Sequence, residues 1–97
     1  MDKFPLKLFI LGNTPLSRRA IKNLNALWEN PETHDLFSIE IIDLKEHPER
    51  AEKEKILATP LLIIKEPPVQ RRIIGDLSNH EKVLEAMGLD KLNYNEP

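Results

Sequence analysis

Leu6-Lys7-Leu8-Phe9-Ile10-Leu11-Gly12-Asn13-Thr14-Pro15-Leu16-Ser17 is the stretch on which the fold turns. Its first six residues are a short apolar run with one embedded lysine, the pattern of a strand buried within a sheet. Gly12 ends the run. Asn13 or Thr14 can cap a helix by accepting an amide proton, and Pro15 suits a first helical turn, where a missing N–H costs nothing. Leu16, Ala20, Ile21, Leu24, Leu27 and Trp28 then recur at spacings of three and four. That places the apolar side chains on one helical stripe, with Arg18, Arg19 and Lys22 off it. The helix ends near Asn30-Pro31.

Outward from there, Pro31 to Asp35 reads as a loop. Phe37 to Leu44 reads as a second strand, β-branched at Ile39, Ile41 and Ile42. A helix between two strands implies a crossover and parallel pairing. Glu46 to Lys55 is almost wholly polar and reads as a short exposed helix with Pro48 in its first turn. Glu46/Arg50 and Glu49/Lys53 are expected as i,i+4 pairs with the acid first. Ala51, Ile56 and Leu57 are the expected apolar anchors.

Pro60 interrupts Ile56 to Ile64, so a regular strand starts only after it. Pro67-Pro68 turns the chain, and Arg71 to Ile74 pairs back as an antiparallel hairpin that Gly75-Asp76 ends. Ser78-Asn79-His80-Glu81 fits a capping box, with the Ser78 oxygen and the Glu81 carboxylate satisfying amides reciprocally. Val83, Leu84 and Met87 then face inward, and Gly88 is a natural stop. Residues 91–97 read as a frayed tail. The chain is thus expected to be a single domain, residues 1–97, with its core at about 6–90.

Composition narrows the function. There is no cysteine, which excludes disulfides, thiolate chemistry and cysteine-held metal centres. The formal net charge is −2, so the chain lacks the basic excess of a dedicated nucleic-acid binder. No stretch reaches the ~20 apolar residues of a membrane span, and the start has neither the apolar run nor the cleavage site of a secretory leader. A cytoplasmic protein with no nucleic-acid or membrane partner is expected. His34, His47 and His80 have no metal-like spacing, Gly12-Asn13-Thr14-Pro15 lacks a phosphate-loop pattern, and the acids of Glu46 to Glu54 alternate with lysine and arginine as on a solvated helix face. No catalytic residue, metal or cofactor is indicated.

The order β-α-β-α-β-β-α, with a mixed four-stranded sheet, resembles the thioredoxin core. In that fold a Cys-x-x-Cys opens the first helix, where this chain has Asn13-Thr14-Pro15-Leu16. The fold also places a cis-proline just before its third strand, and Thr59-Pro60 occupies that place. Pro60 is therefore expected to be cis.

More specifically, the chain resembles the KaiB family of clock proteins. The shared stretches are Gly12-Asn13-Thr14-Pro15 and Ser17, Ile42-Asp43, Lys55-Ile56-Leu57-Ala58-Thr59-Pro60, Pro67-Pro68, Arg71-Arg72-Ile73-Ile74-Gly75-Asp76-Leu77-Ser78 and Gly88-Leu89-Asp90. The resemblance implies a non-enzymatic interaction protein that binds a KaiC-type hexameric ATPase. It implies dimers or tetramers, and a second fold of the C-terminal half in which Gly88 and Asp90 fall in the switching region. Carried over residue by residue, it favours Lys7, Arg19, Lys55, Arg71 and Arg72 as partner-binding positions; Lys22 joins them on its charge alone, and together they would steer the chain toward an acidic surface. The chain also departs from the family. A strand lysine is here Glu40, and a charge reversal there counts against a KaiA-type partner. An extra pair of residues near Glu85 to Met87 lengthens the last helix by about half a turn and is expected to favour the thioredoxin-like form. These departures suggest a relative outside the full oscillator, with a role such as stress adaptation. The alternatives are a detached sensor domain of a histidine kinase, or a redox-inactive thioredoxin-fold adaptor with another partner.

Overall fold

A computed structural model describes residues 4–29, 34–35, 37–66 and 69–87. The element order is β1 (Phe4–Ile10), α1 (Pro15–Trp28), β2 (Phe37–Asp43), α2 (Pro48–Lys53), β3 (Leu61–Glu66), β4 (Val69–Ile74) and α3 (His80–Ala86). The strands form one sheet in the order β2-β1-β3-β4. β1 runs parallel to β2, with Lys7 opposite Glu40, and antiparallel to β3, with Leu8 opposite Leu62. β3 and β4 pair antiparallel, with Ile63 opposite Arg72. This is the thioredoxin-like, mixed four-stranded arrangement expected from the sequence, and the Thr59–Pro60 peptide bond is cis.

The central strands are covered on both faces, which explains their near-continuous apolar runs. On one face Leu6, Leu8, Ile10, Leu62, Ile64 and Ile73 pack against Ala20, Leu24 and Leu27 of α1 and against Leu77, Val83 and Met87. On the other, Phe9, Ile42, Leu44, Leu61 and Ile63 form a smaller core under Ala51 and Ile56. The edge strand β4 alternates instead. Ile73 of β4 is buried while Arg72 and Ile74 are exposed.

Three local expectations are corrected. Leu57 is not an anchor of the α2 segment, because its side chain is 99% exposed. Ile56 turns inward at the end of α2, and the chain then rises out of the core before Pro60. The helix cap of α3 is Asn79, not Ser78: the Asn79 side chain accepts from the Lys82 amide at 3.1 Å. Ser78 is drawn back by Asp76, whose Oδ1 accepts its amide at 3.0 Å, so the Ser78–Glu81 box does not form. The Glu46/Arg50 and Glu49/Lys53 pairs are absent too. Glu46 precedes the helix, so i,i+4 geometry does not hold for it. Glu49 instead faces His47 Nδ1 at 3.8 Å, and Arg50 pairs forward with Glu54 at 3.8 Å. Gly88, Asp90, the 91–97 tail and the Pro67-Pro68 turn lie outside the described residues.

Candidate interaction surface

The end of the sheet where β1 stops and α1 begins is built by three polar joints. The first is Asp43, the last residue of β2. Its Oδ1 accepts the Gly12 amide at 2.9 Å and the Lys45 amide at 2.9 Å, tying the β1–α1 turn to the chain leaving β2. Gly12 stands at φ +73°, a conformation that glycine adopts without a Cβ clash. The second joint is the α1 cap. Ser17 donates its amide to Thr14 Oγ1 at 3.0 Å, and Thr14 Oγ1 donates to Ser17 Oγ at 2.9 Å, which satisfies the helix's single buried polar side chain. Pro15 occupies the first helical turn, as its fixed φ allows.

The third joint is Asp76, just beyond β4. Its Oδ2 takes Arg19 Nε at 3.2 Å, and its carbonyl takes Asn23 Nδ2 at 2.8 Å. One residue thus fastens the edge strand to two successive turns of α1. Sequence reading gave Asp76 only a role in ending a strand, because its partners lie more than fifty positions away.

Both acids are held below their ordinary ionisation range. For Asp43 the chief cause is the Gly12 amide, then the Lys45 amide. For Asp76 it is hydrogen bonding from the Ser78 side chain and amide, then from Arg19. A carboxylate with a depressed folded-state pKa adds stability above its unfolded pKa and loses it as the pH falls through the folded value. The acid limb of the stability curve, below about pH 4, should therefore carry these joints. Asp43→Asn keeps an oxygen for the Gly12 and Lys45 amides and removes the titration. Urea unfolding at falling pH is expected to show a shallower acid limb for this variant. An unchanged limb would mean that other carboxylates set the acid sensitivity.

The expected partner-binding cations do not gather on one face. Lys7 and Arg72 lie on the sheet face that carries α2, and Lys55 follows that helix. Arg72 is engaged there: Nη2 donates to the Glu54 carbonyl at 2.7 Å and Nη1 to the Lys55 carbonyl at 3.1 Å. These two bonds hold the turn at Lys55, whose φ is +55°. Arg19 and Lys22 project from α1 on the opposite side of the sheet, while Arg71 and Arg72 both line a shallow groove with Asn79, Glu81 and Lys82 at the β4 edge. The sequence could not show this split, because it follows from the register of β4.

What the structure does gather is apolar. Of the five large hydrophobic side chains left exposed among the described residues, Leu11, Leu16, Leu57 and Ile74 all belong to this end of the sheet. Leu11 leaves β1, Leu16 is in the first turn of α1, Leu57 precedes Pro60, and Ile74 ends β4 opposite Leu61. The three histidines are dispersed. His34 meets Trp28 with the rings tilted at 46°, His47 faces Glu49, and His80 opens α3. No cluster of three or more potential metal ligands occurs among the described residues. No helix among them is long and apolar enough to cross a membrane.

The sheet order and cis Pro60 make a thioredoxin-like scaffold that carries no thiol and exposes apolar side chains at the end of the sheet where α1 begins. The chain belongs to the KaiB family: the profile of the KaiB domain matches residues 7–89. It is 52% identical over 89 residues to the circadian clock oscillator protein KaiB of Thermosynechococcus vestitus, covering 92% of this chain and 80% of that one. To the circadian clock protein KaiB3 of Synechocystis it is 48% identical over 90 residues, covering 93% and 85%. Among solved structures, the N-terminal domain of Synechococcus elongatus SasA superposes with a TM-score of 0.66 at 20% identity, covering 95% of this chain and 81% of that one. Chloroplastic thioredoxin z superposes with a TM-score of 0.76 at 17% identity, covering 93% and 80%. At such identities these two likenesses speak to the fold.

Proposed function

We propose that this chain is a non-enzymatic, cytoplasmic KaiB-like clock protein that docks on a KaiC-type hexameric ATPase and modulates its signalling, in a rhythm or in stress adaptation. The observation that carries the reading is the family match, which spans nearly the whole chain, from within β1 through α3. The absence of cysteine supports binding over redox work. In this reading Lys7, Arg19, Lys22, Lys55, Arg71 and Arg72 steer the encounter with an acidic partner surface. The thioredoxin-like form described here is the binding-competent one. Any change in ATP hydrolysis follows from preferential binding to one state of the ATPase, since a ligand shifts an equilibrium only by its differential affinity. The level of identity to KaiB proteins favours this reading over a kinase sensor domain, for which only the fold speaks.

The test is gel filtration with light scattering of the purified chain mixed with the KaiC-type ATPase, in ATP and in ADP. A nucleotide-dependent complex is expected, and the mass of the free chain reports whether it is a monomer, dimer or tetramer. No complex with either nucleotide after long incubation would overturn the docking role.

A further inference from the structure

The sheet has two edge strands, β2 and β4, and they differ in chemistry. β4 carries exposed Arg71 and Arg72, the charged kind of edge that resists pairing with its own copy. β2 is Phe37-Ser38-Ile39-Glu40-Ile41-Ile42-Asp43, with a single charge inside it. Its outward main chain follows from one bond. Ile10 lies opposite Asp43, and the Ile10 carbonyl accepts the Leu44 amide at 2.8 Å. Alternate residues of a strand turn their amides and carbonyls to opposite sides, so even residues of β2 bond to β1 while Ile39 and Ile41 face the open edge. Among the described residues, none bonds to these outward groups. Beside the edge lies an apolar groove of about 450 Å³, lined by Asn25, Trp28, Phe37, Ser38, Ile39 and Ile41. Trp28 Nε1 donates to the Phe37 carbonyl at 3.3 Å, which fixes one end of it. Ile41 stands at the other end and is 41% exposed. A protruding isoleucine and a groove four residues apart on one strand face can each receive the other across a two-fold axis.

Charge selects the register. An axis at residue 40 sets Glu40 against the second copy's Glu40, and like charges directly opposite destabilise a pair. An axis at Ile41 sets Ile39 against Asp43, whose carboxylate already serves the Gly12 and Lys45 amides. An axis at Ile39 sets Ile39 against itself, Ser38 against Glu40, and Ile41 against Phe37, over the groove. Glu40 then has Lys7 of β1 beside it on one side and a serine hydroxyl on the other. Neither Lys7 nor Glu40 makes an ion pair among the described residues. We infer that the β2 edge binds a second copy of this chain, antiparallel and centred on Ile39, with Ile41 of each copy seated in the Trp28–Phe37 groove of the other. The two Ile39 residues exchange both main-chain bonds, and the two sheets join edge to edge. Neither the choice of edge nor the register depends on the identity of the ATPase.

The test uses the full chain. Sedimentation equilibrium should show monomer and dimer exchanging between about 10 µM and about 1 mM, since one strand edge is a small interface. Ile41→Lys, at an exposed position that tolerates it, should keep the circular dichroism spectrum and weaken the dimer about tenfold or more, because it brings a charge into the groove. The register is read separately. The chain has no cysteine, so a single-cysteine variant links only to its own copy. Across the axis the two Ile39 Cα atoms stand about 5.5 Å apart, a span that a disulfide bridges. In a glutathione redox buffer Ile39→Cys should form linked dimer about tenfold faster than Leu57→Cys, whose position is more exposed but lies off this edge. A chain that stays monomeric, a dimer indifferent to Ile41→Lys, or Ile39→Cys linking no faster than Leu57→Cys would each overturn the inference. A chain that dimerises here yet forms no complex with the ATPase keeps this inference and loses the docking role. A monomer that docks does the reverse.

Discussion

Phe9→Ala should cost the fold about 3–5 kcal/mol, the range for truncating a buried aromatic ring. Phe9 is fully buried in β1 and is the largest side chain of the smaller core, among Ile42, Leu44, Leu61 and Ile63. α2 is only six residues long and contributes Ala51 to that core, with Ile56 following it. Among the described residues, α2 and the segment after it are what pack over this face. The Arg50 guanidinium also lies 5.7 Å from the Phe9 ring centroid, a cation–π approach that the truncation would remove. A domain of this size has about 5–15 kcal/mol of total stability, so one substitution would spend much of it. Urea unfolding followed by circular dichroism measures the loss. A cost below about 1 kcal/mol would show that the α2 side contributes little and that the α1 and α3 side carries the fold.

Arg19→Glu is the substitution expected to act most on docking. Arg19 stands on the exposed side of α1 and makes an ion pair with Asp76, a pairing that contributes little to stability when exposed to solvent. Reversing the charge removes a steering cation and sets a carboxylate beside Asp76. Affinity for the KaiC-type ATPase should fall about tenfold or more, and its dependence on ionic strength should flatten, because one attractive charge has become repulsive. Arg19→Met separates the two effects: it loses the cation without adding the repulsion and should fall between. Affinity and salt dependence unchanged in both variants would remove Arg19 from the interface.

The fold was largely readable from the sequence because its signals are local and agree with one another. The apolar runs of β1 and β3, the helical stripe of α1 and the proline preceding β3 each depend on neighbours a few positions apart. The misreadings occur where a distant or competing partner decides. Ser78 carries a cap-like hydroxyl, but Asp76 claims its amide, and Asn79 takes over one position later. Leu57 looks like an anchor because it follows Ile56, yet the Lys55 turn and the approach to Pro60 carry it outward. The candidate site was less legible still. Each cation was visible, but its side of the sheet depends on strand register. Leu11, Leu16, Leu57 and Ile74 are scattered along the chain and come to one end of the sheet only in the folded state.

The two bonds from Arg72 to the carbonyls of Glu54 and Lys55 make that side chain a shared resource. A partner carboxylate that captures the guanidinium must compete with the chain's own backbone. Whatever it gains is reduced by what the turn at Lys55 gives up. That turn leads directly into Leu57, Ala58 and Thr59. Occupancy at Arg72 and the freedom of the leucine-bearing segment are therefore thermodynamically linked, and each must report on the other with equal strength in both directions.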